Sequence, residues 1–314
     1  MSRSQLASAQ APFTQWMHTA QTQIERILDA QLPASTLAPE QLHAALRYAV
    51  LDGGKRIRPL LALAAGELCA AVPMSALHAG CAVELVHAYS LVHDDMPCMD
   101  DDVLRRGKPT VHVRYGEATA LLVGDALQAQ AFASLTQPMA GVGAATALRM
   151  VAALASAAGA QGMVGGQQMD LLGENRAEHT ALELAALQTL HRKKTGALLQ
   201  ASVTIGALCG YRYDLEPAVK TALVAYSAAV GLGFQIADDV LDATQPSDTL
   251  GKTAGKDADA NKPTYVSLLG LEGARAEAQA LLQKALGALQ ATGLQAAQLA
   301  PLAALAERIV HREH

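Results

Sequence analysis

Two groups of aspartates are the most concentrated chemistry in the chain. The first is Asp94-Asp95-Met96-Pro97-Cys98-Met99-Asp100-Asp101-Asp102, five carboxylates in nine residues, directly after the apolar run from Val83 to Val92. The second, Asp238-Asp239-Val240-Leu241-Asp242, closes another apolar run. A single acidic run is most simply a solvated helix end; two of them, each ending an apolar helix, point to a shared task. Asp238 and Asp242 are four residues apart and Gln235 is three before Asp238, so all three fall on one helical face. Like charges at that spacing repel, which calls for a cation between them. Hard oxygen donors suit Mg²⁺ or Ca²⁺, and Mg²⁺ usually takes one or two carboxylates and completes its shell with water and substrate phosphate. EF-hand spacing is absent, and neither cluster has the Glu and Glu-x-x-His of a ferritin-like di-iron site. Magnesium with a phosphorylated ligand fits best. On a straight helix Asp94 and Asp100 would diverge by about 120°. Pro97 lacks an amide hydrogen and disfavours helix at Met96, so the chain is expected to bend and return Asp100 towards Asp94.

Cations accompany the carboxylates. Gly53-Gly54-Lys55-Arg56-Ile57-Arg58-Pro59 puts three cations within four residues after a double glycine. It is not a P-loop, because no strand precedes it and Arg56 stands where the Ser/Thr ligand belongs. Further groups are Arg105-Arg106-Gly107-Lys108, His191-Arg192-Lys193-Lys194-Thr195-Gly196, and Lys252, Lys256 and Lys262. Any one alone reads as a solvated face. Four beside two acidic clusters, in a chain of net charge −5, imply two polyanionic ligands: one bridged to carboxylates by metal, the other gripped directly by cations.

The elements that must position these groups read as helices. Hydrophobic residues make up 51% of the 314 residues but aromatics only 4%, an Ala/Leu/Val mixture that favours packed helices over sheets. Leu77, Cys81, Leu85 and Tyr89 recur at i+4 as one apolar ridge, and similar periodicity runs through 118–135, 181–209 and 223–241. Pro73, Pro97, Pro138, Gly210 and Pro217 punctuate them. No Asn-Gly or Asp-Gly is flanked by alternating strands; Asp52-Gly53 follows helical sequence and reads as a helix end. The clusters spread from Lys55 to Lys262, which predicts one domain over 1–314 with a central site. The acidic balance gives no general field for nucleic acid. The four scattered cysteines without a Cys-x-x-Cys pair, and a polar start without a signal peptide, lead us to expect a reduced, cytoplasmic chain. The most apolar stretches are broken by Asp125, Arg149 and Gln200, so buried helices rather than membrane spans are expected.

From about Gly53 to Tyr265 these motifs resemble the trans-prenyl diphosphate synthases, closest to the bacterial farnesyl diphosphate synthases. The segments that carry it are Gly53–Pro59, His87-Ala88-Tyr89-Ser90-Leu91-Val92-His93-Asp94-Asp95-Met96-Pro97, Asp100–Thr110, Gly165-Gly166-Gln167, Lys194-Thr195-Gly196, Phe234–Asp239 and Lys252-Thr253-Ala254-Gly255-Lys256-Asp257. Ala237 departs from the Gln that close relatives often carry, with no ligand lost. The resemblance implies an all-α bundle of about a dozen helices around a central cavity, usually a homodimer. It implies that Asp94 and Asp100, with Asp95 nearby, hold Mg²⁺ on an allylic diphosphate, and that Asp238 holds a further ion, supported by Asp239 and Asp242, about three ions in all. Arg105, Lys194 and Lys252 would grip the same diphosphate. Lys55, Arg58, His87 and Arg106 would bind isopentenyl diphosphate, leaving Arg56 as a surface or supporting cation. Thr195 and Gln235 would stabilise an allylic cation as dipoles. Tyr89, ~7.5 Å down the helix from Asp94, would floor the cavity and set a fifteen-carbon product. On periodicity alone Tyr89 merely continues the core ridge. A geranyl or geranylgeranyl diphosphate synthase, a class I terpene cyclase and an inactive subunit are the competing readings.

Overall fold

A computed structural model describes residues 3–51, 53–174, 184–244 and 263–311. The chain is helical almost throughout: α1 (Arg3–Gln31), α2 (Glu40–Val50), α3 (Ile57–Leu68), α4 (Pro73–Asp94), α5 (Val111–Tyr115), α6 (Glu117–Leu135), α7 (Ala144–Ala158), α8 (Met163–Glu174), α9 (Leu184–His191), a π-helical turn (Arg192–Gly196), α10 (Ala197–Leu208), α11 (Arg212–Leu215), α12 (Pro217–Thr244), α13 (Tyr265–Gln290) and α14 (Ala296–Val310). The all-α expectation holds. One departure is a two-stranded hairpin, β1 (Leu104–Arg105) and β2 (Lys108–Pro109). Its turn is Arg106-Gly107, with φ of 53° and 73°. A type I′ hairpin turn needs positive φ at both central positions, and here Arg-Gly supplies it where Asn-Gly is the usual signal.

The layering follows from how much of each helix is apolar. In α3, 11 of 12 residues are buried, and in α10, 9 of 12, so neither has a solvent face. They pack against each other, and α4 lies beside α3. Around this centre α12 packs along α13, and α6 along α4. The buried apolar side chains, most of them Ala, Leu and Val, form one contiguous cluster. Small side chains let helices approach closely, which is why so few aromatics suffice.

Two helix ends matter most. Pro73 opens α4 at its first position, where its missing amide hydrogen costs nothing. At the other end α4 stops at Asp94, three residues before Pro97. The backbone then curls so that the amide of Asp100 donates to the carbonyl of Asp94 at 2.9 Å, and that of Asp102 to Asp95 at 3.1 Å. The bend expected from Pro97 is therefore present. By length and hydropathy α12 resembles a membrane span, yet most of its apolar window is buried within the protein and it carries Gln235, Asp238, Asp239 and Asp242.

Candidate active site

A cavity of about 820 Å³ lies among the ends of α4 and α12, α8, α9 and the π turn. Asp94, Asp100, Asp238, Asp239 and Asp242 line it, together with Arg58, His87, Tyr89, Lys194, Thr195 and Gln235. Residues 94 and 238, distant in sequence, thus share one wall system, with apolar lining from Leu121, Leu187, Leu190, Leu198 and Phe234. That combination, an apolar chamber with a few converging charges, suits an amphipathic ligand with an anionic head.

Each cluster divides its labour. In the first, Asp94 and Asp100 face the cavity, whereas Asp95 is buried and takes Arg105 Nε at 2.8 and 2.9 Å on its two oxygens. Arg105 also approaches Asp102 at 3.8 Å. In the second, Asp238 and Asp242 share a face, whereas the buried Asp239 accepts the backbone N–H of Tyr265 at 2.8 Å. Tyr265 is the first residue of α13, so Asp239 sits on the positive end of that helix. Asp95 and Asp239 therefore brace the site through protein partners, a placement that side-chain type alone did not reveal.

Burial, reinforced by repulsion from Asp100 and Asp95 and opposed by Lys194 and Arg105, lifts the Asp94 carboxyl to about 6. A carboxylate at a helix C-terminus also meets the negative end of the dipole. Both effects make this position receptive to a cation. Among the described residues no group of three or more His, Cys, Asp or Glu converges as a preformed metal cage. Pairs of hard oxygens on two elements fit Mg²⁺, which shares its shell with water and phosphate. Asp94, Asp100, Asp238 and Asp242 are the residues that fit it.

Lys194 and Thr195 sit in the π turn, a local widening that re-aims side chains and is frequent at functional sites. Lys194 Nζ donates to Asp170 at 2.6 Å. Gly166, one turn before Asp170, makes room for this: a Cβ there would lie 2.2 Å from the Lys194 backbone nitrogen. Thr195 Oγ donates to Gln235 Oε1 at 2.9 Å, and Gln235 Nε2 reaches Asp239 at 3.4 Å, so the two polar dipoles form one chain with the brace. Asp170 was absent from the residues singled out in the sequence. Its i+4 spacing from Gly166 on one helix face was the available signal. Gln167 and His191 also line the cavity, with buried amide and ring atoms that have no protein hydrogen-bond partner. The His191 ring stacks on Tyr265 (centroids 5.7 Å), and burial lowers its pKa to about 4.

On the cationic side, Arg58 and His87 line the cavity. Burial, together with the guanidinium groups of Arg58, Arg106, Arg105 and Arg56, holds the His87 imidazole well below its usual range, so it is neutral at pH 7. Of these four arginines, Arg56 and Arg105 are paired with carboxylates, so Arg58 and Arg106 are the cations that make this corner electropositive. Arg106 lies over the double glycine, its Nη2 3.0 Å from where a Gly54 Cβ would be. Arg56 is not a surface cation; it is buried and paired with Glu25 and Glu84. Tyr89 is buried, lines the cavity and stacks edge-on with His93 (centroids 5.9 Å). Lys252 lies outside the described residues, as do Lys256 and Lys262.

An all-helical chamber lined by two sets of aspartates, by Arg58 and His87 and by apolar side chains suits an enzyme that handles diphosphates of apolar chains. The polyprenyl synthetase family model matches residues 39–300, and the chain belongs to that family. It is 49% identical over 294 residues to a probable farnesyl diphosphate synthase of Sinorhizobium fredii, covering 91% of this chain and 85% of the relative. Among solved structures it is similar to an FPP/GFPP synthase from Zymomonas mobilis (TM-score 0.83, 40% identity, 96% of this chain and 99% of that one). It is also similar to a geranyltransferase from Helicobacter pylori complexed with magnesium and isoprenyl diphosphate (TM-score 0.82, 33% identity, 96% and 98% covered).

Proposed function

We propose that this prenyltransferase joins isopentenyl diphosphate, head to tail, to dimethylallyl or geranyl diphosphate, giving mainly farnesyl diphosphate and pyrophosphate. The observation that carries this reading is that Asp94, Asp100, Asp238 and Asp242 line the same cavity as Arg58 and His87. A terpene cyclase, which ionises one diphosphate, has no use for the second anion-binding corner.

Asp94, Asp100, Asp238 and Asp242 would hold Mg²⁺, about three ions per site by family resemblance, which would supply Lewis-acid stabilisation of the departing pyrophosphate. The chain's own groups do the rest. Lys194, held by Asp170, is assigned to the allylic diphosphate together with Arg105 and Lys252. The allylic C–O bond breaks towards pyrophosphate, and its charge is met by preoriented cations rather than by reorganising water. The Thr195–Gln235 pair presents dipoles to the allylic cation. Lys55, Arg58, Arg106 and neutral His87 hold isopentenyl diphosphate so that its alkene forms the new C–C bond at the carbon that lost pyrophosphate. The pyrophosphate then takes the proton whose loss restores a double bond. Tyr89 limits chain growth from below. A homodimer is assigned on the family resemblance. The scattered free cysteines support a reducing, cytoplasmic setting.

Incubation with Mg²⁺, isopentenyl diphosphate and geranyl diphosphate, followed by chain-length analysis, tests the reading. Farnesyl diphosphate as the main product supports it. A ten- or twenty-carbon main product redirects the Tyr89 assignment, and no condensation with any starter leaves the inactive-subunit reading.

A further inference from the structure

Arg56 is the one cation of Lys55-Arg56-Ile57-Arg58 to which the reaction assigns no work. Its side chain is 3% exposed. Nε donates to Glu25 Oε1 at 2.6 Å, and Nη2 to Glu25 Oε2 at 3.2 Å and to the Val50 carbonyl at 2.6 Å. Nη1 donates to Glu84 Oε1 at 3.0 Å. One guanidinium thus ties together α1, the end of α2 and α4. Only arginine's planar fork can make the paired contact to Glu25 while also reaching the other two acceptors.

The backbone at this residue is as distinctive as its side chain. Arg56 is left-handed (φ 51°, ψ 36°) and caps the start of α3. Non-glycine residues adopt that region uncommonly, and hold it where their surroundings over-determine it. Here the side chain of that residue is anchored on three helices by its buried fork. The turn sets the direction in which Lys55 leaves the loop on one side and Arg58 enters α3 on the other. Glu84 is three residues before His87 on α4, hence on the same helix face. The Arg56–Glu84 pair therefore fixes the loop relative to His87 as well. From outside, Gln21 donates to the Lys55 carbonyl at 3.3 Å, and Arg106 lies over Gly53 and Gly54. Arg56 offsets one of the two carboxylate charges that Glu25 and Glu84 bring to this corner.

We propose that Arg56 is a positioning residue: clamped by Glu25 and Glu84, it fixes the left-handed turn that aims Lys55 and Arg58 at isopentenyl diphosphate, without touching that ligand itself. This rests on the function proposed above. It differs from a plain buried ion pair, whose loss lowers stability without preference between the two substrates.

The test is steady-state kinetics with each diphosphate varied in turn, on Arg56→Met, Arg56→Lys and Glu25→Gln, with melting temperatures and calorimetric binding of isopentenyl diphosphate alone. Arg56→Met is expected to raise KM for isopentenyl diphosphate about tenfold or more, with KM for the allylic diphosphate and kcat within about twofold. Arg56→Lys should fail to restore it, because the paired contact is missing. Glu25→Gln, at a partly exposed partner, should move the same KM by about threefold and decides the matter if Arg56→Met does not fold. Both KM values moving together, or a lower melting temperature with unchanged KM for isopentenyl diphosphate, overturns the proposal. If the wild type performs no condensation, the functional reading fails instead. The calorimetry then still decides the inference: weaker isopentenyl diphosphate binding in the variants supports it, and equal binding overturns it.

Discussion

The first aspartate cluster reaches the cavity through a helix that breaks, the second through a helix that does not. At the end of α4 the backbone curls after Asp94 until the Asp100 amide meets the Asp94 carbonyl, which returns a carboxylate six residues on. In α12 the unbroken 3.6-residue period does the same work by keeping Gln235, Asp238 and Asp242 on one face. Each cluster also turns one aspartate inward. Asp95 holds Arg105, and Asp239 holds the N-terminus of α13 with help from Gln235. In each cluster one aspartate is held by a protein partner, Asp95 by Arg105 and Asp239 by the Tyr265 amide, Asp239 while still lining the cavity beside Asp238 and Asp242.

The largest effect should fall on one cavity-lining aspartate in each cluster. Asp94→Ala and Asp238→Ala are expected to lower kcat by on the order of 10³ or more, since each removes charge stabilisation made at the leaving pyrophosphate. Comparable losses in the two variants support a shared role across two backbone geometries. A loss confined to one would break the symmetry. Next, Asp239→Asn should cost about 1–3 kcal/mol of stability, because the α13 N-terminus loses a buried anionic acceptor, whereas Asp95→Asn should cost less, because burial already raises the Asp95 carboxyl above its ordinary value. Their Mn²⁺ affinity should change far less than in Asp94→Asn. Urea unfolding alongside metal titration checks both.

A smaller effect tests the electrostatics of the first cluster. The folded pKa of Asp94 is raised above its ordinary value of 3.8 to about 6. The folded state therefore binds this proton more tightly than the unfolded chain, and the penalty for its charge is present above about 6 and relieved as pH falls towards 4. Asp94→Asn is expected to stabilise the metal-free protein by about 1–2 kcal/mol at pH 7.5 and by little at pH 4.5, while abolishing activity. A destabilised variant at pH 7.5 would contradict the strained-carboxylate account. Smallest in rate but clear in kind, Tyr89→Ala should shift products beyond fifteen carbons with kcat changed by less than about tenfold. An unchanged product distribution would return Tyr89 to the core ridge.

Much of the fold was legible in the sequence because it is written in local terms. Apolar periodicity marks α4, α6 and α12, and Pro97 announces the break that returns Asp100. The division of labour was not legible, because its partners are remote or backbone groups. Asp239 meets a helix N-terminus 26 residues on, and Arg56 finds Glu25 and Glu84 at separations of 31 and 28 residues. The Arg106-Gly107 turn was missed because the left-handed pair there is not the usual one. Asp170 was legible in principle, four residues after Gly166, but only the structure shows that Lys194 needs both.

The most direct test of the two-cluster account is Mn²⁺ binding, followed by electron paramagnetic resonance, with a thio-substituted, unreactive allylic diphosphate. The account predicts that about three ions bind with the ligand and that Asp94→Ala and Asp238→Ala each lose part of that stoichiometry. Full occupancy in the Asp238→Ala variant would contradict it.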